Sequence, residues 1–152
     1  PGGENATIDR MMNETASRET YRIKGETMIT VHDYTSGRVF ADALSYSFYP
    51  IDLHDENGVN IRHLSHGKVP TIPRGALIPK GSKNIMVAGR CVSSDRLANS
   101  AARVQASSMG MGQAAAVTAT LAAKLKVTPG EVPLAKIYEE LKKHNAIVPR
   151  KA

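Results

Sequence analysis

Apolar and polar positions follow different rhythms in the two halves of this chain. In the second half, Val104, Met111, Ala115, Thr118, Ala122 and Leu125 recur at steps of seven, four and three, and Ala114, Val117 and Leu121 form a second row on an adjacent face. That spacing predicts a long helix over residues 100–124. Being apolar on more than one side, it should be buried between layers, with its many Ala and Gly residues letting neighbours approach closely. Thr128-Pro129-Gly130 ends it. A second amphipathic helix is predicted over residues 133–144, with Leu134, Ile137, Tyr138 and Leu141 on its apolar side and Lys136, Glu139, Glu140 and Lys143 towards solvent.

The first half is less regular. Residues 18–30 alternate enough, with Ile23, Met28 and Ile29 among polar neighbours, to predict a strand or hairpin broken near Gly25. Residues 39–53 mix Phe, Tyr, Leu and Ile with a proline, which predicts a short helix or turn and then a strand over 49–53. Asp55-Glu56-Asn57-Gly58 reads as a turn, and the prolines and glycines of residues 66–83 leave room only for short extended pieces. The run Asn84-Ile85-Met86-Val87-Ala88-Gly89 predicts a buried strand that stops where the backbone must turn sharply. The fold class expected is α+β, with short strands followed by a long buried helix and a C-terminal helix.

A chain of 152 residues is one ordinary domain's worth. It starts at Pro1 without a recognisable leader, so targeting is not legible; its most apolar stretch, residues 114–123, is far too short for a bilayer span. One cysteine, Cys91, excludes an internal disulfide framework and suits a reducing compartment, so a cytoplasmic location is expected. The formal charge of +6 is concentrated: residues 68–113 carry Lys68, Arg74, Lys80, Lys83, Arg90, Arg96 and Arg103 against Asp95 alone. These cations are singly spaced and almost free of interleaved aromatics, which argues against nucleic acid and for a bound anion such as a cofactor pyrophosphate or an acidic substrate.

Two motifs tempt. Gly110-Met111-Gly112-Gln113-Ala114-Ala115 has the G-x-G-x-x-A spacing of a dinucleotide loop, but no buried strand precedes it, so the glycines are read as close-packing positions in a helix. Asp52 and His54 share one face of a strand, and Asp55, His63 and His66 follow, yet the loop-like setting offers no matching ligand pair, and no metal is expected. Cys91 is read as a small packing residue. No G-x-S-x-G elbow, P-loop or cysteine pair exists.

Asn84-Ile85-Met86-Val87-Ala88-Gly89-Arg90-Cys91-Val92-Ser93, continued by Arg103-Val104-Gln105 and Met109-Gly110-Met111-Gly112-Gln113-Ala114-Ala115, resembles the C-terminal signature of a family of bacterial FAD-dependent oxidoreductases. Ser17-Arg18-Glu19-Thr20-Tyr21-Arg22-Ile23-Lys24-Gly25-Glu26 resembles that family's Arg-Glu-Ser-Arg-Arg-Ile-x-Gly block, and Tyr49-Pro50-Ile51-Asp52-Leu53-His54-Asp55 its Tyr-Pro-Ile-Asp-x-His-Asp block. Ile72-Pro73 and Leu77-Ile78-Pro79-Lys80-Gly81 resemble the connection between them, so the likeness runs to about Leu125. Tyr21 departs from the pattern where the family has the first of two arginines, and Arg96 where many members have histidine.

The resemblance implies the C-terminal portion of a glutathione-reductase-like flavoprotein. Residues 1–83 would belong to a substrate or cap region with connecting loops, residues 84–152 would return to the FAD-binding domain, and the N-terminal Rossmann part would be absent. Reduced flavin gathers negative charge near N1 and O2, which a helix N-terminus and an arginine stabilise. By that likeness Gly89 and Arg90 would approach the flavin or its phosphates, Ser100, Ala101, Arg103 and Val104 would lie at the helix start beneath the isoalloxazine, and Arg18, Arg22 and His54 would line the substrate side as catalytic candidates. The expected cofactor is FAD, held by the complete protein and not retained by this portion alone. Expected partners are the missing nucleotide-binding part and a small-molecule substrate, with self-association of the isolated portion and no membrane. A separate non-catalytic module packing on a flavoprotein partner, or an anion-binding domain, are the other readings.

Overall fold

The computed structural model describes residues 4–7, 9–10, 21–56 and 58–149. Its helices and small antiparallel sheets make an α+β architecture. Residues 21–30 form an extended segment with no ladder of its own. It is held from two sides: Ile23 N donates to Cys91 O at 2.9 Å and Ile29 N to Ser93 O at 3.0 Å, while Glu26 N donates to Ile78 O at 3.0 Å and Thr27 N to Gly75 O at 3.1 Å. The strand or hairpin expected at 18–30 is, over the described residues 21–30, an extended threaded segment with isolated bridges at Gly25–Pro79 and Ile29–Ser94, and residues 18–20 lie outside the described ones. Gly25 is obligatory for the threading: a Cβ there would stand 2.7 Å from Ser93 Cβ and 2.8 Å from the Gly75 carbonyl oxygen.

Helix α1, Val31–Ser36, starts at a reciprocal capping box. The Thr30 hydroxyl accepts from Asp33 N at 3.1 Å, and an Asp33 carboxylate oxygen accepts from Thr30 N at 3.0 Å. Gly37, left-handed at φ +70°, closes the helix. Strand β1, Ala43–Tyr46, and the hairpin β2, Ile51–Asp55, with β3, Gly58–Arg62, follow; β4, Thr71–Pro73, returns antiparallel to β1 with an irregularity between Ala43 and Ser45. A 3-10 turn, Arg74–Leu77, comes next.

Residues 84–89 are not a strand. Ile85 is 54% exposed, and Val87 N donates to Leu77 O at 2.8 Å without a ladder forming around that bond. An apolar run becomes a strand only where a neighbour pairs its N–H and C=O groups, and no such neighbour lies among the described residues. The sharp turn expected at its end is present, with Gly89 at φ +88°.

The long helix is two. Helix α2, Arg96–Ala102, is capped by Asp95, which accepts from Ala98 N at 2.8 Å; helix α3, Gln105–Leu125, starts anew after Val104 adopts an extended conformation at ψ 158°. Neither Gly nor Pro marks the break. α3 buries one stripe, Ser107, Met111, Ala114, Thr118 and Ala122, rather than several sides. Buried Thr118 satisfies its hydroxyl on Ala114 O at 2.7 Å, one turn back. Gly110 brings α3 close to β1, since a Cβ there would already touch Ser45 Cβ at 3.4 Å; Gly112 faces open space.

Helix α4, Leu134–Lys143, falls where expected and buries Ile137 and Leu141. Tyr138 OH donates to Ala43 O at 2.9 Å, and the Arg74 guanidinium donates to Val132 O at 2.6 Å, so polar ties reinforce the apolar face. One core, including Tyr34, Leu44, Ile72, Leu77, Met111 and Ile137, joins both halves of the chain. No helix among the described residues is long and apolar enough to cross a membrane.

These contacts set opposite outcomes for two glycines. Gly112→Ala is expected to raise the free energy of urea unfolding by about 1 kcal/mol, the helix-propensity difference, whereas Gly25→Ala is expected to lower it by about 1–3 kcal/mol through overpacking. The capping box adds a pH signature. Burial of Asp33 pushes its carboxyl up, but hydrogen bonds from Arg38 and from the Thr30 hydroxyl and amide, with the Arg38 charge, outweigh this and hold it below its ordinary value. A lowered folded value means stabilisation that is present above the unfolded carboxylate range and is lost as pH falls through the folded one. Asp33→Ala should thus cost about 1 kcal/mol at pH 7, and the difference from wild type should shrink as pH drops below about 4.

Candidate functional site

The Gly89 turn and the start of α3 meet. A Cβ on Gly89 would lie 3.8 Å from Ser108 Oγ, in the first turn of α3. Arg90 is exposed, and its carbonyl accepts from Asn99 Nδ2 at 3.1 Å; the same amide nitrogen donates to Ser94 Oγ at 3.1 Å. Buried Asn99 thereby fixes the 89–94 loop against α2. Val104 precedes α3 with no side-chain oxygen to offer, so the opening amides of a 21-residue helix lack a side-chain cap and carry the positive end of its dipole.

A second constellation adjoins this junction. Asp52 N donates to Ser100 Oγ at 3.1 Å, Arg103 Nη2 donates to Asp52 O at 3.3 Å, and the Asp52 carboxylate pairs with His54 Nε2 at 3.1 Å. Both backbone groups of Asp52 are thus held by α2 and the α2–α3 junction while its side chain, 18% exposed, orients an imidazole that is 39% exposed. The Nε of Arg103 is buried without a hydrogen-bond partner, a cost of about 1–3 kcal/mol for a donor that no acceptor satisfies. Among the described residues no group of three His, Cys, Asp or Glu side chains is arranged to hold a metal ion.

Behind the junction runs a buried chain of hydroxyls. Tyr34 OH lies 3.0 Å from Ser47 Oγ, which lies 2.8 Å from Ser107 Oγ on α3. Burial pushes the Tyr34 hydroxyl above its ordinary value, and hydrogen bonds with Ser47 and the Tyr49 carbonyl oppose the shift only in part.

The residues singled out by sequence therefore separate into groups. Gly89, Arg90, Arg103 and Val104 come together at the junction. Ser100 and Ala101, 1% and 0% exposed, lie in the last turns of α2 and support the junction from behind instead of opening the long helix. His54 joins the junction through Asp52. Arg22 lies apart from these, in a cavity with Lys24 and Lys80, and Arg18 lies outside the described residues. Sequence reasoning had no role for Asn99 or Ser108 and treated Asp52 only as a metal or ion-pair candidate. Asp95, three residues before the amide it caps, carried a cap signal that the helix start expected at residue 100 passed over.

The sequence model of the family described as FAD dependent oxidoreductase matches residues 1–143, and the chain belongs to that family. No curated protein and no solved structure matches it.

Because Ser100 is the hinge between α2 and β2, Ser100→Ala should leave Asp52 N without its partner. A loss of about 1 kcal/mol in urea unfolding is expected, together with faster hydrogen exchange of the Asp52 amide; an unchanged exchange rate would show that the bond does not hold β2 in solution.

Proposed function

We propose that this chain supplies the flavin-side and substrate-side elements of a glutathione-reductase-like, bacterial-type FAD-dependent oxidoreductase working in a reducing compartment, with the ADP half of the cofactor held by a nucleotide-binding part outside these 152 residues. The observation that carries this reading is the meeting of the Gly89–Arg90 turn with the uncapped start of α3, in a chain of the FAD dependent oxidoreductase family. Gly110 to Ala115, the only dinucleotide-like spacing, lies in the middle of α3, where backbone amides are engaged in the helix and cannot cradle a pyrophosphate.

The residues present fit a flavin. A glycine leaves space beside Ser108, the α3 amides favour an anion, and Arg103 brings a buried, unpartnered donor to the same junction. When bound, FAD would supply the two-electron acceptor. Val104 and Arg103 sit at the positive end of α3 and favour negative charge there. His54, with Nε2–H directed to Asp52, presents Nδ1 as the atom that accepts a proton from the substrate. The exposed small side chains Ala116, Ala119 and Ala123 give α3 an outer face on which the nucleotide-binding part packs.

The test compares the 152-residue chain with the complete protein. Mixed with FAD and desalted, the chain alone should be colourless, and the complete protein yellow. In the complete protein, Arg103→Met should leave oxidised FAD bound and lower its reduction potential by on the order of 20–40 mV, as follows from losing about 1–2 kcal/mol of charge stabilisation in a two-electron couple; His54→Gln should slow substrate oxidation by on the order of 100-fold. Stoichiometric flavin on the chain alone, or an unchanged potential with unchanged turnover in Arg103→Met, contradicts this assignment.

A further inference from the structure

A cavity of about 570 Å³ opens between the threaded segment 21–28 and residues 80 and 93–94. Among the described residues, Arg22, Lys24 and Lys80 line it with one carboxylate, Glu26. Its walls are set by backbone bonds rather than by loose side chains. Lys80 N donates to Lys24 O at 2.8 Å, which fixes the stems of two lysines beside each other, and Ile23 N donates to Cys91 O at 2.9 Å. Gly25 is buried between Ser93 and Gly75, so the two-residue period of the extended chain turns Arg22 and Lys24 the other way, towards the opening. On the Gly25 side of the segment, buried Ser93 accepts from Gly25 N on its Oγ at 3.0 Å and braces this wall of the cavity.

We propose that this cavity binds a small oxyanion, and that the anion is a carboxylate of the substrate. Three cationic side chains around a concave site raise the local concentration of anions, and the Lys80–Lys24 backbone bond fixes where two of them start. The volume suits a small metabolite, within the range of about 300–1,000 Å³ usual for such pockets. Tyr21 is the only aromatic among the described lining residues, which gives no platform for stacked bases. The Ile23–Cys91 bond places the cavity two residues along the chain from Gly89, next to the junction but not part of it. That the anion belongs to the substrate rests on the oxidoreductase reading; that the cavity binds an anion does not.

The 152-residue chain, labelled with nitrogen-15, would be titrated in low salt with malonate, inorganic phosphate, the neutral dimethyl malonate and ADP. Saturable shifts of the Gly25, Lys80, Ser93 and Ser94 amides with malonate and phosphate, and none with dimethyl malonate, are expected. Lys80→Gln should weaken malonate binding by about three- to fivefold, as for one partly exposed ion pair, and Lys24→Gln, with its fold checked by the same spectra, should weaken it to a similar degree. Non-saturating shifts, or equal shifts at exposed Lys136 and Lys143, would overturn the site. If ADP occupies the same amides at least tenfold more tightly than malonate, the cavity holds the cofactor's pyrophosphate and the substrate assignment is wrong. None of these arms uses flavin reduction, so an intact malonate response in the chain, alongside a complete protein that binds no flavin and oxidises nothing, would sink the oxidoreductase reading and leave the anion site standing.

Discussion

The structure depends on the backbone pairing of residues 21–30. On one side lie residues 75–78 and on the other residues 91–93, neither a regular strand, and each satisfies buried N–H and C=O groups through the segment threaded between them. The close approach works only because Gly25 faces Ser93 and Gly75 faces the Thr27 side chain, where an added Cβ would come within 2.5 Å of the Thr27 hydroxyl oxygen. Where the threading ends, Thr30 starts α1, and Asp95, whose carboxylate accepts from Val31 N, starts α2. One constraint thus positions both short helices, the cavity and the turn that leads to α3.

What could be read from sequence follows the range of the interactions involved. α4 was legible because its stripe and its salt-bridged outer face are both local. α3 was legible in extent but not in its beginning, since the break at Arg103 and Val104 answers a distant contact, the Arg103 bond to Asp52 O, and no glycine or proline announces it. α1 is too short for a periodic signal, although Thr30 and Asp33 spell its capping box. The run 84–89 was misread because apolar character says only that a segment prefers burial, and a strand also needs a partner. At the junction, Gly89 and Arg103 are residues that motif likeness singles out, whereas the grip of Ser100 on Asp52 spans 48 positions and leaves no local trace.

The electropositive centre likewise divides once folded. Arg74 spends its charge on the Val132 carbonyl and anchors α4, Lys80 stands at the cavity, and Arg90 and Arg103 flank the junction. A count of basic residues therefore overstates any single field, and neighbouring cations along the chain act on different neighbours.

The hydroxyl chain of Tyr34, Ser47 and Ser107 also limits how this sequence can drift. The three oxygens come from separate stretches of chain, α1, the residue after β1 and α3, and each residue is at most 3% exposed, so none can turn to water for a replacement partner. Losing one member strands its neighbour's hydrogen-bonding capacity in the interior, while replacing all three by apolar groups of similar shape removes the demand altogether. Positions 34, 47 and 107 are thus coupled as a unit, and among relatives they should change together or not at all.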